Sequence, residues 1–213
     1  MNLEFLGLSQ LPAAVLWDMD GTIVDTESAW GELSETVIRE AGGIWGSEDT
    51  EFILGASTAD HANRLADAVA RAGLERPEPM EIFGELTRLM ATRAYPFVRL
   101  LPGVRELLWA FRDAGVPQAL VTATPKDLVD IALESLGEMY FNAVVTGSDE
   151  VPGKPAPEPY LLGAKRLGVN AEDALIFEDS RAGLEAARAS GAVVVDVNHT
   201  APAMLARRLG LVR

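Results

Sequence analysis

Asp18 and Asp20 end an apolar run, Val15-Leu16-Trp17, with two carboxylates one residue apart and Gly21-Thr22 behind them. A strand buried on both faces can carry charge only at its end, where a turn begins and water or a metal can reach it. Residues i and i+2 of a strand point the same way. The two carboxylates would therefore repel unless a cation or a shared proton joins them, or a turn starting at Met19 splays them apart. Gly21 supplies such a turn. Either arrangement points to chemistry rather than packing.

Polar residues follow other apolar runs in the same manner. Thr122 and Thr124 come after Ala119-Leu120-Val121, and Glu178-Asp179-Ser180 after Ala174-Leu175-Ile176-Phe177. Val151-Pro152-Gly153-Lys154-Pro155 presents a lysine on a stiffened loop. Taken singly, each has a plain structural reading. Asp20 could form a turn or cap a helix, and Thr122 could be an ordinary β-branched strand residue. Lys154 could be a solvated loop lysine, and Glu178-Asp179-Ser180 a capping cluster for the next helix. Together they bring carboxylates, a hydroxyl and one ammonium to the carboxyl edge of a single sheet, where open parallel sheets bind ligands. That set suits a phosphate monoester: a divalent cation would offset the carboxylates, while Lys154 and Thr122 would hold phosphoryl oxygens. Oxygen-only ligands favour Mg2+.

The elements that must position these residues follow from periodicity. Strands are predicted at 13–17, 117–122, 143–146, 174–177 and 192–197, and helices at 103–114, 126–136, 157–167 and 181–189. Their alternation predicts an α/β fold with a Rossmann-like parallel sheet covered by helices on both faces. Residues 25–94 break the pattern. They read as three helices, 29–41, 59–72 and 79–93, forming an inserted all-α cap domain, with the core made of 1–24 and 95–213. The connections near 22–26 and 94–97 would be its hinges. Glu48-Asp49 and Glu51 read as a solvated acidic run that could start a helix, and His61 as a solvated or helix-facing histidine. Trp30 and Trp45 fit packing within the cap as well as substrate contact. Lys126 reads as a surface lysine.

Composition sets the limits. The 213 residues suffice for one domain with an insert, and a net charge of −14 argues against nucleic acid or an anionic membrane as partner. There is no cysteine, which removes disulfides, thiolate nucleophiles and cysteine-bound zinc and leads us to expect a cytoplasmic protein. No basic-then-apolar leader and no run of about 18 apolar residues is visible, so neither secretion nor a membrane span is expected. A monomer acting on a small molecule is the expectation.

Asp18-x-Asp20-Gly21-Thr22 with Val24-Asp25-Thr26-Glu27, then Val121-Thr122-Ala123-Thr124, Gly153-Lys154-Pro155-Ala156-Pro157 and Glu178-Asp179-Ser180, resembles the four motifs of the haloacid dehalogenase-like hydrolase superfamily. More narrowly, it is similar to the phosphatase and β-phosphoglucomutase-like branch, whose helical cap follows the first motif. The resemblance spans nearly the whole chain and implies a Mg2+-dependent phosphatase for a small phosphorylated metabolite such as a sugar phosphate. It makes Asp18 the nucleophile, forming an aspartyl-phosphate, and Asp20 the general acid and then base. It assigns Mg2+ to Asp18, the main-chain carbonyl of Asp20, and Asp179, with Glu178 a further ligand or a supporting group. Thr122, the Ala123 amide and Lys154 would bind the phosphoryl oxygens. Asp20 separates the chain from dehalogenating relatives, which lack the second aspartate. Mutase relatives carry a His where this chain has Trp30 and an Arg where Gly55-Ala56-Ser57-Thr58 offers none, so the mutase is the alternative and a phosphatase the main expectation. A signalling receiver domain shares an Asp, Thr and Lys set but is shorter and lacks the insert. A non-catalytic phospho-ligand-binding protein is the least supported alternative, because every polar motif position is filled.

Overall fold

Apolar runs of three to five residues recur along the chain with helices between them, and in the computed structural model they line up as one parallel sheet. The structure describes residues 3–6, 8–54, 56–137 and 140–211. Strand β1 (Ala14–Trp17) is followed by four helices, α1 (Glu27–Glu40), α2 (Ser47–Ile53), α3 (Thr58–Ala70) and α4 (Pro79–Arg93). Alternation then begins: α5 (Val104–Asp113), β2 (Gln118–Val121), α6 (Lys126–Leu136), β3 (Ala143–Val145), α7 (Glu158–Leu167), β4 (Ala174–Glu178), α8 (Arg181–Ala189), β5 (Val193–Asp196) and α9 (Pro202–Arg208). The sheet order is β3-β2-β1-β4-β5, with every pairing parallel. Strand β1 thus lies at the centre, with β2 on one side and β4 on the other. The crevice of such a sheet opens where the connections diverge, beyond the carboxyl end of β1.

The period of two sorts the strand residues between two layers. Val15, Trp17, Leu120, Leu175 and Phe177 pack with α5, α6 and α9, whereas Ala14, Leu16, Ala119, Val121 and Ile176 pack with α7 and α8. In the first layer, Trp17 stacks on Phe177 with ring centroids 4.1 Å apart and takes the edge of Phe111 at 6.3 Å. Burying such a ring stabilises the fold by roughly 2–3 kcal/mol. Its indole N–H would be costly if left unpaired, and it donates to Gln118 Oε1 at 3.0 Å while Gln118 Nε2 donates to the Leu108 carbonyl at 2.8 Å.

The same apolar layer continues into α1, α3 and α4 through Ile38, Leu65, Leu86 and Met90. Residues 47–53 form a helix that the sequence only hinted at, and the acidic run there is not simply solvated. Asp49 is buried and receives Arg64 at 2.5 Å, Arg71 at 2.7 Å and the Gly46 N–H at 2.9 Å. Burial works against its charge, but these donors prevail and hold its carboxyl below the usual range. Trp45 also serves this block, donating to Thr50 Oγ1 at 3.0 Å. No helix among the described residues is long and apolar enough to cross a membrane.

For His61 the helix-facing reading holds and the solvated one does not. It is 6% exposed, its Nε2 lies 3.0 Å from Ser34 Oγ, and Trp30 and Phe83 flank its ring. Burial pushes its pKa down to about 3. The unfolded chain would bind a proton near pH 6.5 where the folded protein does not, so stability is full above that pH and falls as the medium is acidified toward 3. Between pH 7 and pH 5 the protein is expected to lose about 2 kcal/mol more than a His61→Gln variant, read from urea midpoints at the two pH values. Equal losses in both proteins would show that His61 is protonated within the fold.

Candidate active site

The backbone separates the two aspartates. After Asp18, the Met19 carbonyl accepts the N–H groups of Thr22, Ile23 and Val24, and Gly21 turns the chain with φ +82°. A Cβ at Gly21 would sit 2.2 Å from Asp179 Oδ2, so a side chain there would strike the site as well as strain the turn. The splayed arrangement is therefore the one adopted, and each carboxylate faces its own surroundings.

Asp18 enters a buried charged cluster. Lys154 Nζ lies 2.6 Å from Asp18 Oδ1 and 2.9 Å from Glu178 Oε1, over the Tyr160 ring at 4.8 Å from its centroid. The Lys154 side chain is 3% exposed, so it is no solvated loop lysine. Burial alone would pull its pKa down, yet the attraction of Asp18 and Glu178 wins and holds the ammonium well above its ordinary value. Glu178 is fully buried and also takes the Ser180 N–H at 2.8 Å. Ser180 caps α8 in turn, its Oγ accepting from the Gly183 N–H at 3.0 Å, so capping and site building occur together. At Gly183 a Cβ would lie 1.9 Å from Glu178 Oε1, which is why that position leaves room for the carboxylate.

Asp179 completes the group and accepts from Thr22 Oγ1 at 2.8 Å. Burial, followed by repulsion from Glu178, pushes its pKa up to about 7 despite that hydrogen bond. Asp18, Glu178 and Asp179 each offer an oxygen, and the three lie within 4.8 Å of one another. One ammonium faces three carboxylates. A hard divalent cation fits that imbalance and that donor set, since it would supply the missing charge without asking for nitrogen or sulfur. The Asp20 side chain stands outside this group.

Asp20 is held by neutral donors instead. Its Oδ1 accepts from Thr26 Oγ1, from Tyr95 Oη at 2.6 Å and from Trp30 Nε1 at 3.4 Å, and its Oδ2 accepts from Thr124 Oγ1 at 2.6 Å. Thr26 stood in the first motif without a role, and Tyr95 escaped the sequence reading. Tyr95 lies 75 residues from Asp20 in the turn Tyr95–Phe97, and no motif spacing ties the two together. Its burial, and then the nearby Asp20 charge, push the phenol pKa well up, so it remains a donor at neutral pH. Tyr95→Phe is expected to lower kcat about 10-fold with little change in KM, the worth of one hydrogen bond to a charged group. An unaltered kcat would show that Asp20 is aligned without it.

The remaining expected residues line the same cleft of about 660 Å3, open solvent included. Thr122 is buried and lines the cleft with Asp18, its Oγ1 accepting the Thr124 N–H at 3.0 Å. The Ala123 carbonyl accepts Thr58 Oγ1 at 3.2 Å, while its N–H meets no backbone acceptor among the described residues. Glu27, Trp30 and Leu54 also line the cleft, whereas Trp45 does not. Lys126 is exposed and paired with Asp130 at 2.6 Å, as its surface reading has it. Of Gly55-Ala56-Ser57-Thr58, Ala56 and Thr58 line the cleft and Gly55 lies outside the described residues.

Fold and site together define the class: an α/β enzyme whose acidic centre sits at the carboxyl edge of a parallel sheet, beneath a helical insert. Residues 12–191 match the family model of haloacid dehalogenase-like hydrolases, and the chain belongs to that family. Among its relatives is a phosphorylated carbohydrates phosphatase of Thermotoga maritima, 35% identical over 182 residues that cover 84% of this chain and 81% of the relative. Fructose-1-phosphate phosphatase YqaB of Escherichia coli is 32% identical over 191 residues, 87% of this chain and 96% of the relative. The crystal structure of a β-phosphoglucomutase from Clostridium difficile superposes with a TM-score of 0.74 at 22% identity, covering 87% of this chain and 84% of that one, and so shares the fold. The curated relatives named here are phosphatases, and this chain is a hydrolase of their family.

Proposed function

We propose that the protein is a Mg2+-dependent phosphatase that hydrolyses a small phosphorylated metabolite, such as a sugar phosphate, through an aspartyl-phosphate. The observation that carries this reading is the contrast between the surroundings of the two aspartates. One lies in a buried carboxylate and lysine cluster, the other is held only by hydroxyl and indole donors, and both open on one cleft. The names of the phosphatase relatives support the substrate class.

In this mechanism an Asp18 carboxylate oxygen attacks phosphorus and the bond to the leaving oxygen breaks in line. Asp20 gives its proton to the departing alkoxide. Water then attacks the aspartyl-phosphate, Asp20 takes up a proton from it, and phosphate leaves with the Asp18 carboxylate restored. Lys154, the Thr122 hydroxyl and the Ala123 N–H would hold the phosphoryl oxygens as charge shifts among them. Asp18, the Asp20 carbonyl, Asp179 and Glu178 would hold Mg2+, which when bound supplies charge neutralisation and orientation of the phosphoryl group. Residues 25–94 act as the cap that excludes bulk water.

A screen of phosphate monoesters tests this, each assayed with Mg2+ and again with a chelator. Turnover is expected with the metal, with a loss of at least about 100-fold on chelation. Hydrolysis indifferent to the chelator would sink the proposal. Conversion of β-glucose 1-phosphate to glucose 6-phosphate would favour the mutase, against which stand Trp30 beside Asp20 and the engagement of the cap histidine His61 with Ser34.

A further inference from the structure

The cleft has two unlike walls. The sheet edge supplies the charged and hydroxyl groups already described, and the helical block supplies Trp30, Ile53, Leu54, His61 and Phe83, with Glu27 beside them. Trp30 and Phe83 lie nearly parallel, 13° apart with centroids at 6.2 Å, and His61 meets Phe83 edge-on at 5.4 Å. Buried as it is, His61 is neutral at pH 7 and adds no charge to this wall.

Cations are missing from the leaving-group side. Among the described residues that line the cleft, Lys154 is the sole cationic side chain at neutral pH, and its ammonium already contacts Asp18 and Glu178. None of the block's arginines lines the cleft: Arg39 pairs with Glu35, Arg64 and Arg71 with Asp49, Arg76 with Asp67 and Arg88 with Glu85, and Arg93 is not among the lining residues. Glu27 adds a negative charge, near enough to Asp179 to help raise its pKa, and its side chain makes no hydrogen bond to a described residue.

We propose that the cleft selects phosphate monoesters of uncharged alcohols that present an apolar or C–H face to Trp30 and Leu54, and that it rejects esters whose alcohol carries a second anion. This rests on the phosphatase reading and narrows it. With the phosphoryl group on the sheet side, a second carboxylate or phosphate would have to leave water against an apolar wall with no cation to meet it. It would also feel the charge of Glu27. A neutral alcohol carries neither cost, and its C–H face gains contact with the indole and leucine.

A matched pair of esters tests the point, because 2-hydroxyethyl phosphate and 2-phosphoglycolate differ mainly in CH2OH against COO−. With Mg2+ present, kcat/KM is expected to favour 2-hydroxyethyl phosphate by at least about 30-fold, the effect of one unfavourable charge at protein-like dielectric. Leu54→Arg, which places a guanidinium on the wall, is expected to narrow that ratio by about 10-fold. Calorimetric binding of the two esters to the Asp18→Asn protein should rank them in the same order without turnover. A ratio at or below one overturns the inference, as does a ratio that Leu54→Arg leaves unmoved. The parent reading fails separately: if neither ester nor p-nitrophenyl phosphate is hydrolysed, the phosphatase assignment falls and takes this inference with it. Turnover of p-nitrophenyl phosphate alongside a preference for 2-phosphoglycolate sinks the inference alone.

Discussion

Lys154→Met is expected to cost about 3–5 kcal/mol of stability together with nearly all activity. The ammonium is buried between Asp18 at 2.6 Å and Glu178 at 2.9 Å. Its removal leaves two carboxylates in an apolar setting with no counter-charge, and breaking a buried pair from one side is strongly destabilising because the surviving charge remains. The urea midpoint should fall without change in slope. Added Mg2+ should restore part of that loss, since a cation bound among Asp18, Glu178 and Asp179 would replace the missing charge. Activity should not return with the metal, because the contact proposed between Lys154 and the phosphoryl oxygens would be gone. A variant as stable as the parent would show that the carboxylates take up protons instead of relying on the lysine.

Asp18→Asn should separate chemistry from structure. An amide cannot serve as the nucleophile, so kcat is expected to fall by at least about 10^4-fold. Lys154 still keeps Glu178, and one of the three crowded carboxylates loses its charge, so the midpoint should shift far less than in Lys154→Met. Single-turnover assays and urea titrations on the same preparation check both halves. Residual activity within 100-fold of the parent would dismiss Asp18 as the nucleophile.

The readable parts of the chain are those where local pattern and tertiary outcome agree. Continuous apolar runs marked β1, β2 and β4, and their polar ends marked the residues that line the cleft, because strand ends at one sheet edge converge whatever their distance in sequence. Helix α2 was less legible. It begins Ser47-Glu48-Asp49 and buries little beyond Asp49 and Ile53, so its period is faint. Asp49 looked solvated until Arg64 and Arg71 folded over it. Those arginines, two helical turns apart and hence on one face, were a signal that could have been used. Helix α9 is a seven-residue segment packed against α5, too short for a period to show. Tyr95 had no local mark at all. Its role depends on a long-range approach to Asp20 that neither composition nor spacing encodes.

The donors around Asp20 carry a consequence for timing. Thr26 sits where the chain leaves the sheet for the helical block, Trp30 is on the first helix of that block, and Tyr95 lies just after its last helix, while Thr124 alone comes from the sheet edge. Three of the four groups that hold the Asp20 carboxylate are therefore fixed by the two crossings and the insert they flank. Were the insert to swing away, the acid would lose its bearings just as solvent entered, while Asp18 stayed moored to Lys154. On the proposed mechanism this would act as an interlock: the nucleophile stays held by Lys154 whatever the insert does, and the proton carrier comes into register only when both ends of the insert are seated.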